Sequence, residues 1–514
     1  MMSPTPDNGQ PRQADRTDAH GTLWRPITLI WAMLFFQAFG VMVSIAPQTR
    51  LFEDIACRRY FGGGNLDEES CKDPAVQDMV NELFGWQLFF DGIPGLVMAL
   101  YYGAMADEKG RKPVLMLSLI GQGLGAAWIL LMCWIQIDPR WTWLSSAFYF
   151  IGGGGTVFNA AAMMILTDAS LESFRSKAFF YAQGVTIVGE MLAPPLGAYL
   201  MRTSLWVPII IGFACLLLAV ALTVVMPETR FAALARDSRD DEQVHHGPGP
   251  SESEEISDSQ GSGSETDVQG RFEAAVEHTS STVGFILQHR NLVLLMACFF
   301  SADFAQQSLA ILLRYVSARY SIPLAKASYL FSFQAFGQML AYGIVLPLLD
   351  TTLVSRFGLL PRVKDLYLSR LSVMLLAISF AVLAFAPRFD FVLIGIAVYT
   401  FGTGFQSFAR SLVSSLVDTD MIGTVFTALA IMDTMAVLLA GPVNAAVLKW
   451  SMRLEGVGKG LPYLLAFVLS GLTTIVLAQV RIQNPTSQDG LVDEEQRLLS
   501  NGEDDSQRAS PRQD

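Results

Sequence analysis

The sequence predicts an all-α polytopic membrane protein with twelve transmembrane helices in two six-helix bundles. Three observations carry this. Of 514 residues, 52% are hydrophobic and only 16% charged, against roughly 25% charged in soluble proteins. Runs of about 20 apolar residues recur, each enough to cross a hydrocarbon core of about 30 Å. They fall six before and six after one long polar segment, the layout of transporters built from two related halves.

The elements follow in order. Residues 1–23 are polar, without the apolar stretch of a cleavable signal peptide, and read as a cytosolic tail. An N-terminal bundle, 24–229, holds spans near 25–45, 83–106, 113–136, 142–166, 178–201 and 206–226. Residues 230–281 are acidic and rich in Ser and Gly, too polar to bury a core, and read as a disordered cytosolic linker. A C-terminal bundle, 282–480, holds spans near 291–314, 326–349, 366–387, 390–416, 422–448 and 461–480, and an acidic, disordered tail occupies 481–514. Linker and tail supply much of the net charge of −12. Lys and Arg are more frequent in segments on the N-terminal side of the membrane, which places both termini in the cytosol. The loops DEKGRK and LESFRSK follow that rule; KWSMRLEGVGKG runs against it.

Several function classes are excluded or disfavoured. No basic patch interleaved with aromatics points to nucleic acid. No Gly-x-x-x-x-Gly-Lys-Ser/Thr loop is present, which argues against an ATP-driven pump. No zinc-protease, Cys-x-x-Cys or nucleophile-elbow motif occurs, so no cofactor, metal or enzymatic activity is expected. A polytopic membrane enzyme, the rival from another class, would need a catalytic cluster at one membrane face. Of five cysteines, Cys133, Cys215 and Cys298 lie in apolar runs and read as packing residues. Cys57 and Cys71 share the polar loop after the first span, separated by the Gly-rich RRYFGGGNLDEES. That loop faces an oxidising compartment if the orientation holds, where a Cys57–Cys71 bridge is allowed; two free thiols are the alternative.

Ionisable groups inside a membrane are costly and mark function by default. Asp91, Glu190, Asp303, Asp433 and Arg410 fall within spans, whereas all five histidines lie outside them. A proton carrier in the membrane would then be a carboxylate: Glu190 first, then Asp303 and Asp433. For Asp91 and Asp433 a structural ion pair or a wet cavity wall is the competing reading. Asp91, Gln183, Gln306, Gln334, Gln338 and Arg410 are expected to offer polar groups to a substrate cavity.

The loop after the second span reads GAMADEKGRKPVL. Its spacing of Gly103, Asp107, Gly110, Arg111 and Lys112 resembles the loop signature of the major facilitator superfamily, with Glu108 where a basic residue is frequent. The resemblance implies a latch. Gly103 would admit a neighbouring helix, Asp107 would face the start of span eleven, and Arg111 would meet the acid ending span four, here Asp168. The equivalent loop of the second half keeps Arg356, Gly358 and Arg362 without clean spacing.

The fifth span, GVTIVGEMLAPPLGAYL, resembles the Gly/Pro-rich motif of drug/proton antiporters, with a Pro in place of one glycine. This implies proton-coupled efflux of a small amphipathic solute by alternating access, from a monomer whose partners are that solute, protons and the bilayer. The fifth-span glutamate, tenth-span arginine and cysteine-bearing loop are also similar to the group containing the proton-coupled folate transporter, which implies uptake of an organic anion. The tail sequence DEEQRLLS, with Glu494, Leu498 and Leu499, resembles an acidic dileucine signal. A chance match is the favoured reading, which leaves the plasma membrane as the expected location; a working signal would engage sorting adaptors and route the chain to a vacuolar or endosomal membrane instead.

Overall fold

A computed structural model describes residues 13–63, 68–170, 172–229, 290–349, 352, 361–416, 422–454 and 456–479. The expected linker, the whole C-terminal tail with Glu494, Leu498 and Leu499, and the loop residues Arg356 and Gly358 lie outside them. All regular structure among the described residues is helical. Eleven helices are long and apolar enough to cross a membrane: α1 (Trp24–Phe61), α2 (Pro74–Lys109), α3 (Arg111–Ile135), α4 (Pro139–Ala169), α6 (Trp206–Val225), α7 (Met296–Tyr320), α8 (Leu324–Leu349), α9 (Val363–Phe385), α10 (Phe389–Val413), α11 (Ala428–Ser451) and α12 (Gly458–Gln479). The remaining helix, α5 (Glu172–Leu200), has 29 residues, ample to span at 1.5 Å per residue. Glu190, Gln183 and the Pro194–Pro195 pair lower its mean hydropathy. Twelve spanning helices result.

Each half has its own core. Ile30, Met33, Leu115, Phe158 and Ile165 are buried together in the first, and Phe299, Tyr315, Phe380, Phe405 and Tyr463 in the second. The halves meet along α2 with α11 and α5 with α8. The α2–α11 crossing is tight: an ideal Cβ on Gly441 would lie 2.6 Å from the Gly85 carbonyl oxygen. Paired small residues let backbones approach this closely inside a membrane.

Several spans are longer than hydropathy suggests; α2, for example, starts at Pro74 rather than near residue 83. Helix α1 continues to Phe61 rather than ending near residue 45. Cys57 therefore sits on its last turns and not in a loop, disulfide-bonded to Cys71 in the short turn Ser70–Lys72 with Cα atoms 5.3 Å apart. Helix α7 runs on to Tyr320 and brings Arg314 inside the span. The helical backbone of α1 also extends back to Gln13, into the segment expected to be a tail.

Among the described residues, four spans depart from regular α-helical geometry. Helix α4 begins as a 3-10 stretch, Pro139–Phe150, breaks at Ile151–Gly153 and resumes as Gly154–Ala169. Gly152, Gly153 and Gly154 have φ of 90°, 73° and 62°, a region that favours glycine. Helix α7 tightens to 3-10 geometry at Ser308–Ile311, and α10 breaks between Gly402 and Phe405. Helix α8 widens into a π turn at Ala341–Val345. Pro347 supplies a cause: it has no N–H for the Gly343 carbonyl, and its ring crowds that carbonyl.

Candidate functional site

The face carrying residues 103–112 is termed the loop face and the opposite one the disulfide face. Gly110, at φ 101°, ends α2 and turns the chain into α3. The Glu228 carboxylate accepts the backbone N–H groups of Arg111 at 3.0 Å and Lys112 at 3.1 Å. A carboxylate at a helix N-terminus is favourable because the first N–H groups lack intrahelical partners. Lys112 Nζ donates to the Val224 carbonyl at 2.9 Å, tying α3 to the end of α6. Arg111 pairs with Asp107 and donates through Nε to Asp168 at 3.4 Å. Asp107 is exposed, and an added Cβ on Gly103 would meet nothing within 4 Å. Arg111 and Asp168 are thus together, while no helix backbone sits on Gly103. Glu228 was invisible to motif reasoning; its signal is an acid directly after the Pro that follows span six.

Between described residues, the hydrogen bonds and ion pairs joining the halves lie toward the disulfide face. Arg314 is buried, donates to Asn81 at 3.2 Å, and lies 4.7 Å over the Phe84 ring. Glu68 accepts the Leu324 N–H at 3.1 Å, at the start of α8. Arg453 meets Asp78 at 3.2 Å and Lys449 meets Glu82 at 3.9 Å. Beneath them the buried Glu53 accepts from Arg50, Lys72 and Gln77. Arg314 was not foreseen, since hydropathy ends span seven at that residue.

At the loop-face end a cavity of about 800 Å³ opens between α1 and α5 of one half and α8 and α10 of the other. Of the residues expected to line it, Gln183 does so. Asp91 lies elsewhere, accepting from Gln87 at 2.7 Å and Ser146 at 2.5 Å within the first bundle. Glu190 is half-buried, with no hydrogen bond or ion pair among the described residues. Gln338 is half-buried on α8, and Gln306 Nε2 and Gln334 Oε1 are buried without partners among the described residues.

Three helices of the second half bring together the remaining charges. Asp303 (α7) and Gln406 and Arg410 (α10, one turn apart) meet Asp433 (α11). Arg410 Nη2 donates to Asp433 Oδ2 at 2.5 Å. Gln406 donates to Asp303 Oδ1, and Asp303 lies close enough to Asp433 and Arg410 to feel both charges. Asp303 Oδ2 and Asp433 Oδ1 are buried and otherwise unpartnered among the described residues. The interruptions in α7 and α10 flank this cluster. Such breaks occur at membrane depth only where protein or a cavity covers the freed backbone; here the Tyr342 hydroxyl donates to the Thr403 carbonyl at 3.2 Å.

The chain is similar to known proteins in sequence and in shape. The chain is 32% identical over 448 residues to the "MFS efflux pump atnC" of Emericella nidulans, covering 84% of this chain and 82% of that one. It is 28% identical to the "Efflux pump ustT" of Aspergillus flavus, covering 80% of each. Among solved structures, the inward open conformation of the Escherichia coli xylose transporter XylE superposes with a TM-score of 0.56 at 15% identity, over 89% of this chain and 96% of that one. The nucleoside transporter NupG superposes with a TM-score of 0.54 at 13% identity, over 88% of this chain and 97% of that one. At these identities the structures speak to fold alone. The Major Facilitator Superfamily model matches residues 27–442, and the chain belongs to that family of multi-pass membrane transporters.

Proposed function

We propose that the protein exports a small organic compound from the cytosol in exchange for protons, with the loop face cytosolic. The single observation that carries proton coupling is the Asp303–Asp433–Arg410 cluster. Two carboxylates against one guanidinium leave one negative charge over, buried between helices of the second half, and a proton balances it. Taking up that proton loosens Asp433 from Arg410, and the interrupted helices α7 and α10 give the cluster adjacent segments that can repack. The names of the relatives support the direction of transport. The competing reading, uptake of an organic anion through Arg410, is disfavoured because Asp433 already occupies that guanidinium. Glu190, on α5, is the second carboxylate to weigh.

The test is transport in proteoliposomes with an imposed pH gradient. Asp303→Asn and Asp433→Asn should each lose uphill accumulation at least tenfold while keeping substrate exchange, because exchange needs no net proton release. Full gradient-driven accumulation in both variants, together with its loss in Glu190→Gln, would transfer the role to Glu190.

A further inference from the structure

The cavity at the loop face has a chemistry of its own. None of its described lining residues carries a formal charge. Aromatic rings come from both halves: Phe35, Phe180 and Tyr181 from the first, Tyr342 and Phe408 from the second. The polar groups are few, chiefly Gln183 and Ser407, with the tyrosine hydroxyls. The Tyr342 hydroxyl is held by the Thr403 carbonyl, which fixes that ring's position. A volume of about 800 Å³ is in the range of drug-sized ligand sites. Cations would find no carboxylate here and anions no guanidinium, and an unpaired charge is expensive to desolvate.

Two glycines make the room. Gly184 on α5 and Gly343 on α8 both line the cavity, and a Cβ added to either would meet nothing within 4 Å. This differs from the packing glycines, such as Gly85 and Gly441, where a Cβ would strike a neighbouring backbone. Glycine in a helix interior is destabilising relative to alanine, and neither position repays that by helix packing. Gly343 also lies within the π turn Ala341–Val345, a distortion frequent at functional sites. The independent observations therefore converge on one place: uncharged aromatic lining, an irregular turn, and an open glycine from each half.

We infer that this cavity binds uncharged aromatic compounds, and that Gly184 and Gly343 are the specificity-determining positions whose missing side chains admit the ligand's ring system. The inference rests on the transporter reading and deepens it by naming the ligand class. It does not depend on proton coupling or on the direction of transport.

The experiment measures binding without a gradient. Purified full-length protein in lipid nanodiscs is photolabelled with three benzophenones: unsubstituted, bearing a quaternary ammonium, and bearing a carboxylate. Saturable adducts are mapped by peptide mass spectrometry. The neutral probe should label segments 180–188 and 339–347 at least fivefold more than either charged probe. Gly184→Leu and Gly343→Leu should each reduce that labelling at least tenfold. Gly471→Leu, at an open α12 glycine away from the cavity, should leave it unchanged and shows that a new leucine is tolerated. Gly184→Ala and Gly343→Ala, with smaller additions, should give intermediate losses in folded protein. Comparable labelling by a charged probe overturns the ligand class. Undiminished labelling in both leucine variants overturns the role of the glycines. A failure of the pH-gradient assay with binding intact would count against proton coupling only.

Discussion

What an acid does inside the membrane depends on what else it touches, and the acids singled out within spans from the sequence separate on that basis. Asp91 Oδ1 accepts from Gln87 and Ser146, contacts that an asparagine carbonyl can keep. Asp433 holds a guanidinium and keeps its second oxygen buried without a partner among the described residues. Asp91→Asn should therefore transport within about threefold of the wild type, and Asp433→Asn at least tenfold below it, both scaled to surface expression. The reverse order would show that the working carboxylate sits in the first half. Gly110 makes a second case. Its φ of 101° is strained for other residues, and the Glu228 carboxylate fills the place of a side chain. Gly110→Ala should lose about 1–3 kcal/mol, read as a lower unfolding temperature in detergent, with Glu228→Gln losing less because its amide oxygen still accepts. Equal stability in Gly110→Ala would mean that the turn relaxes freely.

At the scale of elements, the spans were legible because burial in lipid imposes one signal, length times apolarity, on nearly every helix. Their interruptions were not, because a break is decided by neighbours. IGGGG in α4 reads as a small-residue packing stretch; what turns it into a break is Gly152 lying against the α3 backbone at Leu117 and Ser118. The Tyr102 hydroxyl then accepts the Gly152 N–H at 2.8 Å and donates to the Phe150 carbonyl at 3.0 Å, while Ser118 donates to the Gly154 carbonyl at 2.7 Å. Freed backbone groups at membrane depth need such partners. Tyr102→Phe should cost about 1–3 kcal/mol and Ser118→Ala less, measured as thermal unfolding of nanodisc-embedded protein. A Tyr102→Phe protein as stable as the wild type would mean that the broken helix needs no side-chain bridge. The same limit applied to the acids: each was identifiable from the sequence as a charge in a span of a given half, but the pairing of Asp433 with Arg410, of Asp303 with Gln406, and of Asp91 with Gln87 and Ser146 required the fold.

For the whole molecule, the two faces are held differently. The loop face holds Arg111 to Asp168 within the first half, whereas the disulfide face is tied across the halves by Arg314, Glu68, Arg453 and Lys449. The resemblance of the loop to the family signature implied the first set; the second comes from residues far apart in sequence, such as Asn81 and Arg314, with no motif to link them. Alternating access requires these cross-half ties to break in the opposite state. Arg314 is the most costly of them to leave unsatisfied, because it is buried and the others lie nearer solvent. Removing it should shift the population toward an open disulfide face rather than unfold the protein, since each half keeps its own core. The measurement is cross-linking by a short bifunctional methanethiosulfonate between Asp78→Cys and Arg453→Cys, whose parent side chains meet at 3.2 Å when that face is closed, with Cys133, Cys215 and Cys298 replaced by alanine. Adding Arg314→Gln should lower the cross-link yield at least threefold, and adding Arg319→Gln, whose partners Tyr315 and Ala386 lie within its own half, should not. An unchanged yield in the Arg314→Gln background would mean that the apolar crossing of α2 with α11, and not the buried cation, keeps the disulfide face shut.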